Sequence, residues 1–265
     1  MKPILWQIGP LKIHAFGLFL ALGFLIAGIV VMRRGRARGM SDDAMTGWIT
    51  WVLVASLAGA RIYYALAHPD RFAGRWGDIF AIWQGGLVLH GGILAAVAAS
   101  AIYVRKAGWS FADLVDVVAP GLAFGVASGR LGCFFNGCCF GVPAGDGWGL
   151  VFPEGCSAAS AFPGVPLHPT QLYMAALEAA LGAVLLWLDR PASSFRRRFP
   201  SRGALFGLYL LGSSAARLGI DRIRHYESGD IWWGGLAHSQ IVSLLFAAAG
   251  VYLLARRERR KKGSR

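Results

Sequence analysis

Charge is what this sequence has least of. Asp, Glu, Lys and Arg make up 15% of its 265 residues, against about 25% in an average soluble domain. So little charge excludes an ordinary soluble enzyme, and so much apolar residue excludes a disordered tail. Acids are scarcer than bases, 14 against 27, for a formal net charge of +13. Cysteines number only four, too few for a disulfide-dense mini-protein. There is no visible internal repeat and no segment that reads as a soluble second domain. What is present is apolar: hydrophobic residues are 55% and mean hydropathy is +0.50. With the 36 glycines the apolar share is roughly two thirds, against about 45–50% on that scale. A basic, apolar chain is a nucleic-acid binder or a membrane protein, and the placement of the charges separates the two.

A membrane-crossing helix needs about 20 mostly apolar residues. Seven stretches are candidates: Ala15–Met32, Ala44–Ala60 (extendable through Arg61 to Ala67), Ile79–Val104, Val117–Gly129, Thr170–Leu188, Gly203–Ile220 and Ile231–Ala255. The bases collect at alternate ends. Arg33, Arg34, Arg36 and Arg38 follow the first span, Arg105 and Lys106 the third, and Arg190, Arg196, Arg197, Arg198 and Arg202 the fifth. Arg256, Arg257, Arg259, Arg260, Lys261, Lys262 and Arg265 follow the seventh. Basic residues in short loops stay in the cytoplasm, so the N-terminus is expected outside and the C-terminus inside. The acids on that side, Asp42, Asp43, Asp113, Asp189 and Glu258, leave it carrying the whole +13. The excess therefore marks orientation, and no nucleic-acid partner is expected.

The fold class expected is an all-α polytopic membrane protein of seven transmembrane helices, a single integral membrane domain over 1–265. The first span is read as retained, because its apolar run is long and the positive charge follows it, unlike a cleaved signal. The segment 130–169, rich in Gly and Pro, is the one extramembrane stretch large enough for a small outer lobe. Gly121, Gly125 and Gly129 form a small-xxx-small ridge for close helix packing.

Charge inside an apolar span costs several kcal/mol unless it faces protein or water. His90, Arg130, Glu178 and Arg217 are the residues in question. The topology sets Arg130 at the outer end of the fourth span, Arg217 toward the outer end of the sixth and His90 within the third, so that all three can meet in a cavity open to the outer leaflet. Arginine suits bidentate contact with phosphate, and a neutral imidazole can accept a proton near neutral pH. Plainer readings stand beside these. Arg217, Asp221 and Arg224 have the spacing of a structural ion-pair ladder, and Glu178 can hydrogen-bond across helices. Arg61 can snorkel or join the cavity, and His238 suits an interfacial or packing position. Glycines flank Arg130, where they let a ligand approach the backbone.

Cys133, Cys138, Cys139 and Cys156 all lie in or beside the outer segment. Disulfides are possible outside the cell, with Cys138 or Cys139 joined to Cys133 or Cys156, and so are buried thiols or a catalytic thiol. A zinc site with His168 is the remaining option, but C-x4-C-C is an unfamiliar zinc spacing. No metal and no cofactor is expected.

Five motifs resemble the prolipoprotein diacylglyceryl transferase family. They are Ile8-Gly9-Pro10 with His14-Ala15-Phe16-Gly17; Trp83-Gln84-Gly85-Gly86 with His90-Gly91-Gly92; and Gly129-Arg130-Leu131-Gly132-Cys133-Phe134-Phe135-Asn136-Gly137 followed by Gly141. His168-Pro169-Thr170-Gln171-Leu172-Tyr173 with Glu178, and Arg217 to Arg224, complete the set, in order along nearly the whole chain. The family commonly has Tyr at Phe16, Asn at Cys133, Tyr at Ser213 and an acidic or bulky pair at Cys138-Cys139, so this chain resembles a divergent member.

The resemblance implies a seven-span, N-out enzyme of the bacterial inner membrane. It would move sn-1,2-diacylglyceryl from phosphatidylglycerol to the lipobox cysteine thiol of a prolipoprotein signal peptide and release glycerol phosphate. It implies His90, Arg130 and Arg217 as catalytic. It implies Gly91, Gly92, Asn136, Gly141, His14, Gln171, Glu178, Asp221 and Arg224, with Arg130 again, as substrate-binding. The rivals are a non-catalytic lipid-binding or transport protein, since buried arginines and a broken span also suit anion passage, and a paralogue with another lipid or acceptor.

Overall fold

The computed structural model describes residues 4–8, 11–82, 85–145, 148–190, 193–226 and 235–256. Gly9-Pro10, Trp83-Gln84, positions 231–234 of the seventh expected span and the basic run from Arg257 onward lie outside the described residues. The chain divides into two compact units, Met32–Leu114 and the combination of Met1–Val31 with Val115–Arg265.

The chain is mostly helical. Among the described residues five helices are long and apolar enough to cross a membrane: α1 (Ala15–Ala37), α2 (Asp42–Ala67), α4 (Phe111–Asn136), α6 (Thr170–Leu188) and α9 (His238–Ala255). Two more follow the expected third and sixth spans, α3 (Leu89–Ala107) and the shorter α8 (Ala204–Ile220). Two short helices, α5 (Ser157–Ala161) and α7 (Ser194–Arg198), fill connections. Large apolar side chains stand exposed along the long helices, Phe24 at 57% and Leu245 at 65%, which suits lipid and would not suit water.

Several expected boundaries move. The third span starts at Leu89 and not Ile79. Residues 76–80 form a 3-10 turn, and Gly85 and Gly86 at φ +82 and +68 cannot continue a right-handed helix. The fourth span is far longer than Val117–Gly129, running through Pro120 and past Arg130 to Asn136, so 130–136 are helical and the irregular segment begins at Gly137. Alternation too short to stand out folds β1 (Ile4–Ile8) against β2 (Leu11–His14) as an antiparallel hairpin, pairing Trp6 with Ile13 and Ile4 with His14.

In Met32–Leu114, Ser41 caps α2, its hydroxyl accepting from the amide of Ala44 at 3.3 Å. Gly108, at φ +69, ends α3. α2 and α3 lie so close that a Cβ on Gly91 would collide with the Gly59 carbonyl oxygen. The indole of Trp48 donates to Ser100 Oγ across this seam at 3.1 Å.

In the other unit the glycine ridge of α4 packs on α1. A Cβ on Gly121 would lie 3.0 Å from the Ala27 carbonyl oxygen, and Gly125 lies against Gly23 and Ala27, whereas Gly129 has nothing within 4 Å. Asp116 caps α8 from a distance: its two oxygens accept from the amides of Gly203 (2.9 Å) and Phe206 (2.8 Å). Ala119, Ala123, Leu185, Leu205, Tyr209 and Leu210 form the core of α4, α6 and α8. The stretch from Gly137 to Pro169 contains α5 and a second ribbon, β3 (Leu150–Val151) with β4 (Pro166–Leu167). It closes over its own core, which includes Phe140, Phe152, Cys156 and Leu167.

Candidate active site

The charged residues of α4, α6 and α8 converge in the second of these units. Arg217 lies near the end of α8, which stops at Ile220. Its Nε pairs with Asp221 Oδ1 at 3.1 Å, and its Nη2 donates to Tyr226 Oη at 3.1 Å. Tyr226 Oη is 2.8 Å from Ser239 Oγ at the start of α9, and Ser239 donates to Asp221 Oδ2 at 3.3 Å. The helical spacing that raised an ion-pair ladder thus yields one buried pair, closed into a ring by two hydroxyls. Burial pushes the Tyr226 phenol above its ordinary range.

Arg224 is held differently. It sits past α8, in an antiparallel bridge with Gly141. The amide of Val142 donates to Ile223 O (2.9 Å) and that of His225 to Phe140 O (3.1 Å), while the rings of Phe140 and His225 stack at 5.5 Å. Its guanidinium lies 5.3 Å over the Tyr226 ring. Gly141 is threaded between two backbones: a Cβ would come 2.6 Å from Ile223 O and 2.9 Å from His168 O. Any side chain there would therefore move Arg224.

Arg130, on α4, interacts electrostatically with Arg217, Glu178 and Cys139, and Arg224 with Arg217 and Cys139. Glu178, fully buried on α6, accepts from Ser213 Oγ of α8 at 2.5 Å through Oε1. Among the described residues its Oε2, Gln171 Oε1 and Arg224 Nε have no hydrogen-bond partner. Three guanidinium groups thus share a field with Asp221 and Glu178, and the unpartnered Nε of Arg224 is a donor of the kind that an anion can accept from.

Gln171 and Thr170, both buried, open α6 and donate to consecutive carbonyls, Cys138 O and Cys139 O, at 2.7 Å each. All four cysteines are free thiols, so the disulfide reading does not hold for this structure. The Cys133 and Cys138 thiols hydrogen-bond to Cys139 and, with the charges of Arg224 and Arg130, hold its thiol below the usual range against the effect of burial.

The remaining expected residues are placed as follows. Asn136 is exposed at the end of α4, and His14 is exposed at the end of β2. His90, exposed in the first turn of α3, and Gly91 and Gly92, at the α2–α3 seam, belong to the other unit. So does Arg61, which settles as a clamp: all its donors reach backbone carbonyls of residues 78–86. Sequence reasoning missed Tyr226 and Ser239, neutral residues that nothing in the local pattern distinguishes, and it named Thr170 only as part of a motif. His238 opens α9.

The sequence matches the family described as prolipoprotein diacylglyceryl transferase over residues 3–256. Relatives named phosphatidylglycerol–prolipoprotein diacylglyceryl transferase include that of Synechococcus elongatus, 34% identical over 250 residues, 94% of this chain and 85% of the relative. That of Gloeobacter violaceus is 32% identical over 268 residues, covering 98% and 95%. That of Methylococcus capsulatus is 32% identical over 266 residues, covering 96% and 95%. Similarity that runs through every one of the apolar helices and both arginine-bearing segments is not that of a shared motif, and the chain belongs to the prolipoprotein diacylglyceryl transferase family.

Proposed function

We propose that this membrane protein transfers the diacylglyceryl group of phosphatidylglycerol to the lipobox cysteine of prolipoproteins in the bacterial inner membrane, with its site open to the outer leaflet. The observation that carries the reading is the shared field of Arg130, Arg217 and Arg224 beside buried Glu178. In the reaction the acceptor sulfur attacks the glycerol carbon that bears the phosphodiester. A carbon–sulfur bond forms, the carbon–oxygen bond breaks, and glycerol phosphate departs with the electron pair. The thiol proton passes to a base, and His90 is assigned as that base or as a positioning group. Charge grows on the departing phosphate, and guanidinium groups fixed in place before reaction stabilise it where little water competes.

Arg130 and Arg217 bind that phosphate in this scheme. Asp221, Tyr226 and Ser239 hold Arg217 in one orientation, and the Gly141 bridge does the same for Arg224. Gln171 fixes the turn at Cys138. His14, Gly91, Gly92 and Asn136 are assigned to the lipid and peptide.

The test is reconstitution of the full chain with phosphatidylglycerol vesicles and a lipobox peptide, read by mass spectrometry. A diacylglyceryl-thioether peptide is expected, and Arg130→Ala should lower its yield at least about 10²-fold, the scale of losing a transition-state anion donor. No product where a known relative makes it overturns the reaction. Lipid flux across proteoliposomes without thioether would support transport instead.

A further inference from the structure

The three thiols at the end of α4 are gathered by backbone geometry. α4 ends in a Schellman motif: Gly137 takes φ +68, its amide donates to Phe134 O at 3.1 Å, and the amide of Cys138 donates to Cys133 O at 3.2 Å. That turn folds Cys138 back over Cys133. Cys139 follows at φ +63, the one positive φ outside glycine among the described residues, a conformation uncommon for a side-chain-bearing residue. Thr170 and Gln171 pin the carbonyls of Cys139 and Cys138. The outcome is three Sγ atoms all within 4.8 Å of one another, the only such group of His, Cys, Asp and Glu donors among the described residues.

We propose that Cys133, Cys138 and Cys139 form a three-thiolate site for one soft, thiophilic metal ion of the Cu(I) class. Metal–sulfur bonds of about 2.3 Å put three sulfurs about 4 Å apart around a central ion, so each pair closes by less than about 1 Å. The loop is held by helix-end and α6 hydrogen bonds that need not change. Thiolate ligands select Cu(I) and Zn(II) over harder ions. Zn(II) takes four ligands, and this cluster offers three, which suits an ion content with three-coordination. Charge also balances: three thiolates and one Cu(I) sum to −2, and Arg130 and Arg224, both interacting with Cys139, supply +2.

The experiment titrates reduced, full-length protein in detergent with Cu(I) against a chromogenic Cu(I) chelator under anaerobic conditions. One Cu(I) per chain is expected, with three sulfur neighbours by X-ray absorption. Cys133→Ser and Cys139→Ser should each weaken binding at least tenfold, and the triple Cys→Ser variant should abolish it. Cys156→Ser, outside the cluster, should retain one ion. Variants are compared only where helical circular dichroism and elution volume match the parent. The chelator keeping all the Cu(I), a triple variant binding as well as the parent, preference for Zn(II) over Cu(I), or a Cys133–Cys138 or Cys133–Cys139 disulfide in protein taken from membranes would each overturn the proposal. The readout is metal binding, so it stands or falls apart from the transfer reaction.

Discussion

Two arginines sit in apolar helices of this chain in opposite states. Arg61 is 5% exposed, and its Nε and both terminal nitrogens donate to the carbonyls of Ile79, Gly85, Gly86, Asp78 and Ala81. Tyr64 and Phe72 flank it at 5.8 and 5.3 Å. A guanidinium has five N–H donors, and here every one has a protein acceptor. Arg217 is tied to a carboxylate and a phenol, and it shares its surroundings with two more guanidinium groups, one of which keeps a buried Nε without a partner among the described residues. A charge in a membrane helix is therefore not by itself a site. What separates anchor from site is whether the donors are already spent.

The strongest way to break the comparison is to truncate one arginine of each kind. Arg130→Ala should lose at least about 10²-fold in thioether formation while the midpoint of thermal unfolding stays near the parent's. Arg61→Ala removes a charged donor from five carbonyls, of which only Asp78 O keeps another among the described residues, the amide of Ala81. At about 1.5–3 kcal/mol for a hydrogen bond to a charged group, and less where the bond is only partly buried, a loss of about 3–5 kcal/mol in stability is expected, read by denaturant unfolding in detergent. Should Arg61→Ala remain as stable as the parent and lose transfer, Arg61 would belong with the site residues.

A smaller effect joins packing to the site. Gly141→Ala puts a Cβ against the carbonyls of Ile223 and His168, so the bridge that carries Arg224 must open. A cost of about 2–3 kcal/mol is expected, together with a raised KM for phosphatidylglycerol. An unchanged KM would show that Arg224 does not meet the lipid.

How far this was readable beforehand follows from what leaves a mark on hydropathy. Glu178 and Arg217 stood out because each is a lone charge in an apolar run, and Asp221 because it lies one helical turn from Arg217. The clamped state of Arg61 leaves no trace in residue type, because its partners are backbone carbonyls. Ile79–Val88 is as apolar as the helix after it, so hydropathy joined the two, and the positive φ of Gly85 and Gly86 parts them. The fourth span is expected to stop at Gly129, just before Arg130, whereas α4 runs on to Asn136 and the backbone turns left-handed only at Gly137. The thiol cluster escaped for the same reason. Cys-x4-Cys-Cys is no familiar ligand spacing along a helix or strand, and it closes only through a Schellman turn followed by a strained residue.

Ser213→Ala tests the neutral side of the site at lower cost. It removes the hydroxyl that donates to Glu178 Oε1 and should destabilise the chain by about 1 kcal/mol, the ordinary worth of one hydrogen bond, or somewhat more because the acceptor is a carboxylate. Restored stability in Ser213→Thr, which keeps the hydroxyl, would tie the loss to that bond.

The smallest expected effect is on pH dependence, at Tyr226. Burial raises its phenol above the ordinary range, which lies near 10. A group whose folded-state pKa is raised stabilises the fold fully below its unfolded pKa, and that contribution is lost as pH climbs through the folded value. Here the window opens at about pH 10, so Tyr226 matters only on the alkaline limb. The contribution is modest, because the side chain is only half-buried and solvent screens it. The informative quantity is the difference between parent and Tyr226→Phe as pH rises. Stability of the parent should fall more steeply above pH 10 than that of the variant. Parallel curves would mean that the Arg217–Tyr226–Ser239–Asp221 ring does not depend on the phenol proton and that the Arg217–Asp221 pair orients Arg217 alone.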